Sequence, residues 1–177
     1  MTNPLRQPRR LDDLLNFQLH MLQAVSGAPI VRLLEGRHGI TRREWRLLAL
    51  LADRGPLSPS TLAEQGQLDR ARTSRSIGML VAKQLALRET LASDPRRAQV
   101  SLTAAGRRLY DEVFPEIAAI NAQLVSALDD ATVDALATAI ERLKAKAQEL
   151  NLALATDIKA GRGQGGSRRK LQQRGAA

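Results

Sequence analysis

Between Leu57 and Arg108 two short helical patterns lead into an arginine-bearing hairpin and then straight into another helix, an order that few folds accept. Ser58 offers a capping hydroxyl, and Pro59 follows at the first helical position, where no N–H is missed. Leu62 and Ala63 supply the buried face of this first helix. Gln65-Gly66-Gln67 then turns the chain, the glycine making the turn cheap, and Asp69 caps a second helix expected to run to about Gln84.

On the second helix a step of about 100° per residue places Thr73, Ile77, Leu80, Val81 and Gln84 on one side. Arg72, Arg75, Ser76, Met79 and Lys83 fall on the other, with no acidic side chain among them. Such a helix buries one seam and turns a basic row outward, as a DNA recognition helix must. Guanidinium groups reach guanine edges in pairs of hydrogen bonds, and positive charge meets phosphate. A solvated amphipathic helix has the same division, and the segment that follows it favours the nucleic-acid reading. Leu87 to Thr90 and Ala98 to Leu102 read as strands joined by Ser93-Asp94-Pro95, which sets Arg96 and Arg97 at a hairpin tip able to enter a minor groove. Asp94 either pins Arg96 or is a plain turn aspartate. The ordered whole is a winged helix-turn-helix: a mainly α fold with a small β-hairpin wing.

The residues also carry a family resemblance. Leu62-Ala63-Glu64, Leu68-Asp69-Arg70, Ser74-Arg75, Leu80, Leu85, Asp94-Pro95-Arg96-Arg97, Val100, Leu102-Thr103 and Gly106 resemble, in order and spacing, the signature of the multiple-antibiotic-resistance regulator (MarR) family. The run from Gly39 to Arg46 resembles the start of that family's second helix, and the likeness extends over roughly residues 11–150. It implies a homodimeric transcription factor, most often a repressor, bound to an inverted-repeat operator in double-stranded DNA and released by a small aromatic effector. Arg70 through Arg75 would face the major groove, and Arg96 or Arg97 the minor groove. The expected DNA-contacting set is Ser58, Ser60, Arg70, Arg72, Thr73, Ser74, Arg75, Ser76, Lys83, Asp94, Arg96 and Arg97. Two departures stand out. Gln84 occupies the place of the family's helix-ending glycine, so it must adopt a left-handed conformation or the helix must finish differently. Arg72 occupies a position usually held by a small or hydroxyl residue.

Charge supports this picture through its distribution rather than its total. Eight of the nine net positive charges come from the two ends, with Arg6, Arg9 and Arg10 in residues 1–10 and Arg162, Arg168, Arg169, Lys170 and Arg174 in residues 161–177. Residues 57–114 carry a net +3 and residues 115–160 a net −3, which would turn the reading module toward DNA and the helices beyond it away. The glycine-rich tail 161–177 is expected to be disordered, acting either as a phosphate tether or as a solubilising end.

Outside the module the sequence reads as helix. Leu11, Leu14, Leu15, Leu22 and Val25 mark a first helix over about 11–27, ending near Gly27 and Pro29. Trp45, Leu48, Ala49 and Ala52 mark another over Thr41 to about Arg54. Thr103 caps a long helix bent near Pro115, and Asp129 or Asp130 opens a last one, so that long helices fill about 103–158. A winged-helix module over about 41–108 cannot cover these apolar stripes, and an isologous homodimer within a single domain, 11–160, is the simplest partner; an antiparallel pair inside a monomer is the alternative.

The absence of cysteine excludes disulfides and thiol redox sensing. No apolar run reaches the roughly 18 residues of a membrane span, and acids follow the basic N-terminus where a signal peptide would stay apolar, so a cytoplasmic protein without membrane contact is expected. No nucleophile motif, phosphate loop or cluster at metal-ligand spacing is found. Neither enzyme activity, cofactor nor metal is therefore expected, and His20 and His38 read as surface or interfacial histidines. The family's pocket, carried onto this chain, points to His20, Trp45 and Arg46 as effector-binding residues, with Trp45 equally suited to core packing. The rival reading is a winged-helix module that binds RNA, an acidic protein or DNA without sequence preference. A marked preference for one inverted repeat over random DNA separates the two.

Overall fold

The computed structural model describes residues 3–91 and 94–158, with the side chains of residues 91, 94–97 and 157 outside the description. After a 3-10 turn, Leu11–Asp13, come helices α1 (Leu15–Gly36), α2 (Arg42–Arg54), α3 (Pro59–Gln65) and α4 (Arg70–Ala82). An antiparallel pair, β1 (Ala86–Leu91) and β2 (Asp94–Leu102), leads into α5 (Ala104–Val125) and α6 (Asp130–Asp157). The described residues divide after Leu124 into two units.

The core of the first unit is built from the faces that helix and strand periods define. Leu47, Leu48 and Leu51 of α2, Leu62 of α3, Ile77 and Leu80 of α4, and Ala86 and Val100 of the hairpin pack together. A second cluster joins Leu34, Ile40 and Val113, with Ile30, Leu109 and Ile117 against it. Trp45 borders both. Leu57 extends the hairpin by one bridge: its N–H donates to the Val100 carbonyl at 3.0 Å, and its carbonyl accepts from the Val100 N–H at 2.8 Å.

Caps begin the helices where the sequence put them. Ser58 Oγ accepts from the Thr61 N–H, Asp69 accepts from Ala71 and Arg72, Thr103 Oγ1 accepts from Gly106, and Asp129, rather than Asp130, accepts from Thr132. Each satisfies a donor that the first helical turn leaves without an intrahelical partner.

Several expectations are corrected. The first helix does not end near Gly27 and Pro29 but continues to Gly36, with Pro29 inside it. A proline removes one backbone hydrogen bond, and the packing of Ile30 and Leu34 against the second cluster outweighs that loss. In the turn between α3 and α4 the left-handed residue is Gln67, at φ +52°, while Gly66 has φ −73°. Glycine is required at 66 for space instead, since a Cβ there would lie 2.8 Å from the Leu62 carbonyl oxygen. On α2 the buried face is Glu44, Leu47, Leu48 and Leu51, with Trp45 and Ala49 only half-buried. On α4, Val81 and Gln84 are exposed, because the chain is already leaving the helix there.

Asp94 and Pro95 belong to β2, not to the hairpin turn. Pairing runs from Ala86 with Leu102 to Thr90 with Ala98, and then jumps to Leu91 with Asp94, so the backbone of residues 95–97 has no opposite positions on β1. The side chains of Asp94, Arg96 and Arg97, the proposed clamp between Asp94 and Arg96, and the tail 161–177 lie outside the described residues.

Candidate nucleic-acid interface

Helix α4 is held from one side and open on the other. Thr73, Ile77 and Leu80 are buried, and Thr73 Oγ1 donates to the Asp69 carbonyl at 2.8 Å. Thr73 therefore belongs to the packed seam and does not join Arg70, Arg72, Ser74 and Arg75, which are exposed. Arg72, Arg75 and the half-buried Ser76 line a cleft of about 340 Å³ together with Arg43. Arg43, in the first turn of α2, was missed by reasoning from α4 alone; only folding brings the two helices side by side. At the start of α3, Ser58 Oγ lies 2.8 Å from both Ser60 Oγ and Thr61 Oγ1, and Ser60 remains exposed.

Lys83 was expected on the outward basic row and is engaged elsewhere. Its ammonium donates to Glu44 Oε1 and Oε2 at 3.0 Å each and to the Gly39 carbonyl at 2.8 Å. Glu44 is only 2% exposed and closes a capping box by accepting from the Thr41 N–H at 2.6 Å. A buried carboxylate needs such partners, and Lys83 at the end of α4 supplies the opposite charge. The Thr41-x-x-Glu44 spacing is visible in the sequence as a helix start, whereas the pairing across 39 residues is not.

The three residues expected to hold an effector have different neighbours. Trp45 stacks on Tyr110, with ring centroids 5.7 Å apart and planes at 13°, and Tyr110 in turn meets Phe114 at 5.4 Å. The Tyr110 hydroxyl donates to Asp53 Oδ1 at 3.0 Å, and burial together with this aspartate pushes its pKa up. Arg46 donates to the Gly66 carbonyl at 3.1 Å, and His20 is exposed on α1. The larger open cavity, about 520 Å³, is lined instead by His38, Gly39, Ile40, Lys83, Leu85 and residues of α5. His38, read as a surface or interfacial residue, has a side chain only 4% exposed and faces carboxylates of α5.

Two helices joined by a tight turn, the second with a basic outer face, followed by a two-stranded hairpin and a further helix, define a winged helix-turn-helix protein. The sequence profile of the MarR family matches residues 38–97. The HTH-type transcriptional regulator FarR of Neisseria gonorrhoeae is 33% identical over 78 residues, which cover 44% of this chain. The match spans 53% of FarR, about half of that relative's length. A MarR family transcriptional regulator from Silicibacter pomeroyi has a structure that superposes with a TM-score of 0.68 at 28% identity, over 84% of this chain and 97% of that one. Staphylococcus aureus MepR, from its complex with DNA, shares the fold with a TM-score of 0.69 at 20% identity, over 75% of this chain and 98% of that one. Residues 38–97 thus match the MarR family, and the fold around them is similar to that of MarR family structures.

Proposed function

We propose that the protein is a sequence-specific DNA-binding transcriptional regulator, a homodimeric repressor that reads the major groove with α4. The observation that carries this reading is the exposed, acid-free row Arg70, Arg72, Ser74 and Arg75, joined by Arg43 and held rigidly from beneath by Thr73, Ile77 and Leu80. Rigid placement matters because a base-edge hydrogen bond discriminates only when the guanidinium arrives in a fixed position. Arg96 and Arg97 extend the reading to the wing on sequence grounds alone.

The dimer is supported by apolar surface that each unit leaves open. Leu14, Leu19, Met21, Leu22 and Val25 are exposed in the α1 region, as are Leu136, Ile140, Leu143 and Leu150 on α6. A second copy covering these faces would pair two reading helices and match an inverted repeat. Release by a small aromatic acid belongs to the same reading. A titration that follows Trp45 fluorescence and DNA release together tests it, since Trp45 is the only tryptophan.

The test is selection of a binding site from random DNA, followed by anisotropy at physiological salt. A regulator prefers its selected inverted repeat to random DNA by orders of magnitude. Arg75→Ala is expected to cost about 1–3 kcal/mol at that site and to relax its base preference. Equal loss on every sequence makes Arg75 a phosphate contact. No preference at all leaves the rival module that binds RNA, an acidic protein or DNA indiscriminately.

A further inference from the structure

Where α1 runs into α2, the chain buries an imidazole between two carboxylates of α5. His38 Nε2 lies 3.1 Å from Glu116 Oε1, and Nδ1 lies 3.8 Å from Glu112 Oε1. Glu112 and Glu116 stand four residues apart, so one helix face presents both. A neutral imidazole carries one N–H and can donate to one carboxylate only. The second carboxylate, 3.8 Å from the other ring nitrogen and open to solvent, makes no hydrogen bond to the ring and leaves room for a cation.

We propose that His38, Glu112 and Glu116 form a binding site for a divalent transition cation of the zinc class. One atom from each residue lies within 4.8 Å of the others. Ligands at about 2.0–2.2 Å from a tetrahedral ion are themselves separated by about 3.3–3.6 Å, so side-chain adjustments gather all three around one centre. Imidazole with two carboxylates suits zinc, whereas magnesium prefers oxygen ligands alone. Glu112 is two-thirds exposed and has no other partner among the described residues, so it is free to close on an ion from the solvent side. Arg37 Nη1 pairs with Glu116 Oε2 at 2.5 Å and leaves Oε1 turned toward the ring, orienting that carboxylate as an outer hydrogen bond orients a metal ligand. Gly39, the next residue in the chain, accepts from Lys83, so a bound ion would fix the segment that anchors the end of α4.

The experiment uses the full chain without DNA, so its result is independent of the regulatory reading. Zn²⁺ is titrated in competition with a chromophoric chelator, with Mg²⁺ as the control ion. One Zn²⁺ per chain is expected, with affinity falling at least about tenfold in Glu112→Gln and in His38→Gln, and unchanged in His20→Ala, which removes the other histidine. Glu112 is exposed, so its variant folds whether or not the buried His38 tolerates change. Absence of stoichiometric Zn²⁺ binding, equal binding in Glu112→Gln, or loss in His20→Ala would overturn the site.

Discussion

Lys83 shows how a single residue changes meaning on folding. Its spacing puts it on the row with Arg72 and Arg75, yet its flexible stem carries the ammonium to the buried Glu44. Replacing it with methionine keeps the stem and strands that carboxylate, and is expected to cost about 2–3 kcal/mol in chemical denaturation. The double variant Lys83→Met/Glu44→Gln should recover part of that loss, because no buried charge remains; a further loss would mean that the pair contributes little. Tyr110 offers a pH signal of known sign. Its folded pKa lies above the ordinary value of 10.0, so the proton is held more tightly in the folded chain. This stability is fully present below pH 10 and is lost as pH rises through the folded pKa. As the only tyrosine, it should show a tyrosinate absorbance midpoint above 10 that shifts down on denaturation. A midpoint that denaturation leaves unmoved would show that neither burial nor Asp53 acts on it.

At the scale of elements, the junction between α4 and β1 depends on backbone geometry. Gln84 adopts the left-handed conformation at φ +57°, one of the two outcomes that its place in the family pattern left open. Its side chain is exposed, while its carbonyl accepts from Thr103 Oγ1 at 2.7 Å. Gln84→Gly should therefore raise stability by up to about 1 kcal/mol, since glycine has no Cβ to strain there. Destabilisation instead would mean that the glutamine side chain itself holds the junction. Gly106 obeys the opposite constraint. A Cβ there would overlap the Leu85 carbonyl oxygen, a backbone atom that cannot swing aside, and would crowd a Leu102 methyl 3.2 Å away. Gly106→Ala is expected to cost about 3 kcal/mol, and a melting temperature equal to that of the parent chain would show that α5 can shift away.

Across the whole molecule, apolar faces are left exposed on α1 and α6. Ile140 and Leu143 are 40% and 45% exposed on α6, and exposure of this kind along a long helix calls for a partner surface. The Ile140→Glu/Leu143→Glu protein should sediment as a monomer where the parent sediments as a dimer; a parent that is itself monomeric ends the dimer reading. The sequence was enough to place the caps at Ser58, Asp69 and Thr103, the buried seam Thr73-Ile77-Leu80, and the helix-turn-helix followed by a wing, while for the last helix it left Asp129 and Asp130 open. These depend on residues three or four apart, where chemistry and period act directly. Tertiary structure alone decided that Pro29 stays inside α1, that Arg43 joins Arg72 and Arg75, that Trp45 stacks on Tyr110, and that His38 meets Glu112 and Glu116. Each of the last three brings together residues that chain order separates by dozens of positions, and Pro29 is kept in its helix by clusters formed just as remotely. Such meetings are selected by the packing free energy of the whole core, which no local window of the sequence contains.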